Sequence, residues 1–164
     1  MNLVHVHLLL NHVPVIGVIL GMLLLATSLI RKNAEWMKAA LGIFLISGLI
    51  GVPVFLTGES AEEAVEGRMG VSEAVIEKHE DSAKPAMILL QVLAAAALVS
   101  MFLVRGTPTL SRMRSVSMLL IALSLVTTLF AGRAANLGGQ IRHPEIGTTL
   151  EQPVDIESEA EHED

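Results

Sequence analysis

Four stretches of this 164-residue chain carry no charged side chain: residues 13–30, 39–55, 86–104 and 115–132. Each is close to the roughly 20 residues a helix needs to cross the hydrocarbon core of a bilayer. Leu, Ile, Val, Ala and Gly dominate them, without the alternation that marks barrel strands. A helix satisfies its own backbone hydrogen bonds, so helices are the expected spanning form. A soluble four-helix bundle would need a polar stripe along each helix, and these runs have none. Only 17% of the chain is charged, which fits the same conclusion. The expected fold is all-α, a four-transmembrane-helix bundle with spans at residues 13–30, 36–56, 86–104 and 115–132.

The flanking charges suggest an orientation. The loop 31–38 holds Arg31, Lys32 and Lys38, and the loop 105–114 holds Arg105, Arg112 and Arg114. These short loops carry six of the eleven basic residues. An excess of Lys and Arg marks the cytoplasmic side. Both termini and the loop 57–85 are then expected outside, on the periplasmic face of a bacterial inner membrane. Lys and Arg are absent before the first run and follow it, so a retained helix is expected rather than a cleaved signal. The chain has no cysteine, which excludes thiolate ligands and covalent c-type haem.

The organisation follows from local signals. The four-helix domain covers residues 1–147, with an outer helical loop at 57–85. Residues 2–12 are expected to extend the first helix outward, with Pro14 kinking it or marking its first turn. Gly17 and Gly21 form a small-xxx-small pair suited to close helix packing. Trp36 is expected at the membrane border and Pro53 near the outer end of its helix. Ser60 and Glu63 fit a capping box, which predicts a short helix from Ala61 to Glu66, broken at Gly70. Ser72 is placed to cap a second helix that carries His79 and runs through Pro85 into the third span. The fourth helix is expected to end near Gly132, with a turn at Gly138 and Gly139. Residues 148–164 form an acidic tail, expected to be solvated and disordered, and His162 within it needs no role.

Histidines gather at the outer ends of these runs. His5, His7 and His12 precede the first, His79 precedes the third, and His143 follows the fourth. Carboxylates lie beside them: Glu59 and Glu63 after the second run, Glu80 next to His79, Glu145 close to His143. At about 100° per residue, His5 and His12 share a helix face, and His7 and Asn11 share nearly the opposite one. Each residue alone is readily explained as an interfacial polar group, a helix cap or a solvated charge. Their convergence makes a functional site the stronger expectation. His7, His12, His79 and His143 are the candidate cofactor ligands. Glu59, Glu63, Glu80 and Glu145 join them as candidate metal ligands. Nitrogen and carboxylate donors without sulfur suit iron, copper or zinc, and two histidines from different helices suit a haem b iron. Gly17, Gly21, Ala94 and Ala95 could leave room for a macrocycle or serve packing. Histidine also titrates near neutral pH, so proton relay is open.

Several strings carry a resemblance. They are His5-Val-His7-Leu-Leu-Leu-Asn11-His12-Val-Pro14, Thr57-Gly58-Glu59 with Ala61-Glu62-Glu63, Gly70-Val71-Ser72 with Ile76-Glu77-Lys78-His79-Glu80, and Gly138-Gly139-Gln140-Ile141-Arg142-His143-Pro144-Glu145-Ile146. Over most of its length except the acidic tail, the chain resembles a family of uncharacterised bacterial four-helix integral membrane proteins. It is distantly similar to a broader membrane family of unknown function, sometimes fused to Rieske iron–sulfur domains. That association implies respiratory electron transfer, although this chain has no Rieske ligands of its own.

Three functions are in view. The first is a redox protein that binds haem or a non-haem metal and exchanges electrons with a quinone or with subunits of a respiratory complex. The second is a cofactor-free accessory or assembly subunit of a membrane complex. The third is a metal-handling or transport protein; against it, Gln91 is the only Asn or Gln within the spans, and a transport path needs more polar lining. No Gly-rich phosphate loop, basic nucleic-acid patch or activated nucleophile appears, so nucleic acid is not an expected partner and no reaction is assigned.

Overall fold

The computed structural model describes residues 3–66 and 71–143, all of whose regular structure is helical. The order is α1 (Leu3–Leu10), α2 (His12–Arg31), α3 (Ala34–Leu56), α4 (Gly58–Glu63), α5 (Glu73–Leu103) and α6 (Leu110–Arg142). Four helical stretches are long and apolar enough to cross a membrane: Leu3–Arg31, Ala34–Leu56, Glu73–Leu103 and Leu110–Ile141. Gly70, Glu145 and the acidic tail lie outside the described residues.

Helices α2, α3, α5 and α6 form a closed ring. Helix α3 packs between α2 and α5, and α6 packs against both α5 and α2. The interior holds Val18, Leu25, Met37, Leu41, Phe44, Leu90, Leu93 and Leu120, all nearly or fully buried. Only 22–33% of the most apolar window of each span is buried inside the bundle. The rest, including Leu23, Ile46, Leu49, Ile88 and Leu119, points outward. Such a surface fits lipid and would be costly in water.

Small residues let the helices approach. A Cβ on Gly17 would collide with the Ser47 side chain, and one on Gly48 would collide with Ala94. One on Gly21 would lie 2.5 Å from the Phe44 ring. The pair foreseen at Gly17 and Gly21 is therefore a contact between α2 and α3. Ala94 is likewise spent on helix contact, while Ala95 faces outward. Gln91 donates from Nε2 to the Gly48 carbonyl at 2.9 Å, binding α5 to α3 inside the span. Buried hydroxyls on Ser28, Ser47, Ser100, Ser124 and Thr127 return their hydrogen to their own helix backbone.

Two short turns join the helices at one end of the bundle. Lys32 adopts a left-handed conformation (φ 50°) that ends α2, and its N–H returns to the Ser28 carbonyl. The Asn33 side chain then caps α3 by accepting from the Glu35 N–H at 2.8 Å. Thr109 caps α6 in the same manner.

Pro14 falls in the first turn of α2, as expected. Residues 3–10 carry the helix outward through Asn11, which keeps a right-handed helical conformation and donates its N–H to the His7 carbonyl at 2.9 Å. Two expected boundaries move. The short surface helix begins at Gly58, so Ser60 lies inside it and caps nothing. The hydroxyl at its start belongs to Thr57, which instead donates back to the carbonyls of Pro53 and Val54. Helix α6 does not stop at Gly132 or turn at Gly138-Gly139; it continues to Arg142. Glycine costs a helix about 1 kcal/mol; here the His79 ring, bonded to the Ala134 carbonyl and lying against Gly138, fastens this stretch to α5. Helix α5 begins after Ser72 and passes unbroken through Pro85, as expected.

Candidate functional site

The antiparallel ring brings the start of α2, the end of α3, the start of α5 and the end of α6 to one end of the bundle. Helix α1 carries α2 outward at that end and packs against α3 and α4. Two of the five histidines reach inward there.

The first is His7. Its side chain is half-buried, and Nδ1 lies 2.9 Å from the carbonyl oxygen of Val54. Helix α3 ends two residues later, so this carbonyl belongs to the last turn, which lacks intrahelical donors. His7 and Thr57 both supply one.

The second is His79, on the extension of α5 beyond the apolar run. Its Nδ1 lies 2.8 Å from the carbonyl oxygen of Ala134 on α6. Gly138 makes the approach possible: a Cβ there would stand 3.0 Å from His79 Cε1 and 3.3 Å from Nδ1. His7 and His79 are within electrostatic range of one another.

These bonds determine the tautomer. A carbonyl oxygen can only accept, so Nδ1 carries the hydrogen in both rings. In the neutral ring Nε2 then keeps its lone pair. Metal-binding imidazoles are oriented in the same way, with the second nitrogen donating to a carbonyl or carboxylate. Asn11, one turn from His7, buries its Oδ1 without a hydrogen-bond partner. That atom is a vacant acceptor at the same end of the bundle.

The remaining candidates are more peripheral. His5 and His12 are exposed, so of the two opposite helix faces it is the one carrying His7 and Asn11 that turns inward. His143 caps the end of α6 and is exposed, with its N–H donating to the Gly139 carbonyl at 2.9 Å. Glu59 and Glu63 are exposed on α4. Glu80 is exposed and pairs with Lys84 at 3.0 Å. Glu145 lies outside the described residues.

Among the described residues, the carboxylate that is partly buried is Glu62, which sequence reasoning passed over. It sits between Glu59 and Glu63 on α4. Burial, and then the charges of Glu80 and Glu59, push its carboxyl above the ordinary glutamate range; Lys84 opposes them weakly. A short helix of uncertain phase gave no sequence signal for it.

Among the described residues, no three His, Asp or Glu side chains form a metal-ligating group. The site consists of two inward-reaching imidazoles, each bonded to a main-chain carbonyl, at the end of the bundle that also carries the partly buried Glu62. No protein-family model, curated protein or solved structure matches the chain.

Proposed function

We propose that this is a multi-pass redox protein of the bacterial inner membrane that carries a metal centre, foremost a haem b, between His7 and His79. The observation behind it is the shared bonding of the two imidazoles. Each holds a main-chain carbonyl of a neighbouring helix through Nδ1 and keeps Nε2 for a ligand. A haem iron takes two such imidazoles, whereas zinc takes three or four protein ligands. When bound, a haem would supply one-electron chemistry.

The chain's own residues would orient the two imidazoles from α1 and α5 and set the charge around them. Glu62, Glu59 and Glu80 contribute negative charge, which would favour the oxidised, more positive state of a centre nearby. The excess of Arg and Lys on the two short loops favours a cytoplasmic location for that end, so the histidine end would face the periplasm. Electron exchange with a quinone or with respiratory-complex subunits fits a site at the membrane border.

The test is an absorption spectrum with metal analysis on protein purified in detergent. A Soret band, or stoichiometric iron, that disappears in His7→Ala and His79→Ala but survives in His12→Ala is expected. Colourless, metal-free protein with intact helicity overturns the proposal. A cofactor-free accessory subunit is the second reading, because the two histidine bonds also serve as fasteners between helices. Retained assembly with a co-purifying membrane partner in the His7→Ala and His79→Ala variants would favour it.

A further inference from the structure

The opposite end of the bundle carries a groove of about 380 Å³ between the first turns of α3 and the end of α5. Leu98, Met101 and Phe102 form its apolar side, and all three are also exposed on the outer surface of α5. Lys38 and Arg105 line the same groove. We propose that this groove is a binding site for an anionic phospholipid, with the acyl chain along Leu98 and Met101 and the phosphate between Lys38 and Arg105.

Three features carry the inference. The first is charge. The loops 31–38 and 105–114 contain six basic residues and one acidic residue, Glu35. Basic pockets between spanning helices are suited to acidic lipid headgroups. Glu35 engages Lys38 at 2.8 Å, but it is strongly exposed, so the pair is screened and open to exchange with a phosphate.

The second is the organisation of Arg105. Its guanidinium carbon stands 4.1 Å from the centre of the Phe102 ring, so the ring face supports the cation. Arg112, from the start of α6, donates to the Leu103 carbonyl at 3.2 Å and closes the end of α5 beside it. Arg105 is thus presented by a platform rather than left on a free side chain.

The third is geometry. The apolar wall runs along the lipid-facing side of α5, and the two cations lie where the apolar run ends. That order, hydrocarbon then phosphate, is the order of a lipid molecule. A free phosphate ester would use the cations alone and leave Leu98 and Met101 without an occupant. The site is independent of the histidine pair, which lies at the other end of the bundle.

The experiment is native mass spectrometry of detergent-released protein given equal amounts of phosphatidylglycerol and phosphatidylcholine. Preferential phosphatidylglycerol adducts are expected. The Lys38→Gln, Arg105→Gln double variant should lower that preference roughly tenfold. The Arg31→Gln, Arg114→Gln variant removes the same charge from the same end and should retain most of it. Glycerol phosphate at the same concentration should not displace the lipid. Equal binding of the two lipids, equal loss in both double variants, or full displacement by glycerol phosphate overturns the proposal. If the first double variant loses helicity, the single variants Lys38→Gln and Arg105→Gln decide: each should lower the preference, and an unchanged preference in both overturns the site.

Discussion

His79 Nδ1 and the carbonyl oxygen of Ala134 stand 2.8 Å apart, a side-chain bond that ties the extension of α5 to α6 beyond the apolar runs. Ala134 is mid-helix, so the histidine uses the second lone pair of a carbonyl already inside the ladder. Replacing His79 by Ala removes both this bond and the half-buried ring. A loss of about 1–3 kcal/mol is expected. His12→Ala, at an exposed position, should fall within about 0.5 kcal/mol of wild type. Reversible unfolding in mixed detergent, followed by circular dichroism, measures the difference.

Gly138 and Gly139 are adjacent, yet they should respond oppositely. A side chain at Gly138 meets the His79 ring, whereas nothing lies within 4 Å of a Cβ at Gly139. Gly138→Leu should displace His79 and destabilise the bundle by about 1–3 kcal/mol. Gly139→Ala should stabilise α6 by up to about 1 kcal/mol through helix propensity. The same unfolding assay reads both, and destabilisation by Gly139→Ala would contradict the continuous α6.

Gln91 and Gly48 make one contact between α5 and α3. Gln91→Leu should cost about 0.6 kcal/mol, the usual worth of a hydrogen bond between membrane helices. Gly48→Val forces the new side chain against Ala94 and should cost more, about 1–3 kcal/mol. Since widening the gap also breaks the Gln91 bond, the double variant should lose less than the sum of the two. A double-mutant cycle on unfolding free energies tests this.

Glu62 should give the fold a pH dependence. Burial and the Glu80 and Glu59 charges raise its folded-state pKa above the unfolded value. The folded protein therefore binds this proton more tightly, and stability falls as pH rises from about 4.3, the ordinary glutamate value, through the raised one. Glu62→Gln should remove this contribution and stabilise the protein at neutral pH. Thermal midpoints of both proteins between about pH 4 and pH 7 measure it; parallel curves would rule Glu62 out as the source.

Much of the architecture was legible because apolar run length is a one-dimensional property. The spans, the continuous α5 through Pro85, the packing role of Gly17 and Gly21, and the placement of His7 on the face opposite His5 and His12 all followed from spacing. Helix α6 escaped because three glycines in eight residues resemble a stop, while the contact with His79 that favours Gly138 comes from a residue 59 positions earlier. The start of α4 escaped because Thr57 and Ser60 offer equivalent caps, and only the free carbonyls at the end of α3 select between them.

The sequence by itself determined the four apolar helices and the gathering of histidines at one set of ends, since length, charge and period are local. Only the tertiary structure decided which histidines reach inward. His7 and His79 are selected by the carbonyls of Val54 and Ala134, whose positions depend on how α1, α3, α5 and α6 pack. Tertiary packing also turned Glu62 inward in place of its two neighbours, and set Lys38 beside Arg105 across 67 residues of chain. Such pairings depend on distance in space, which helix periodicity along one chain does not encode.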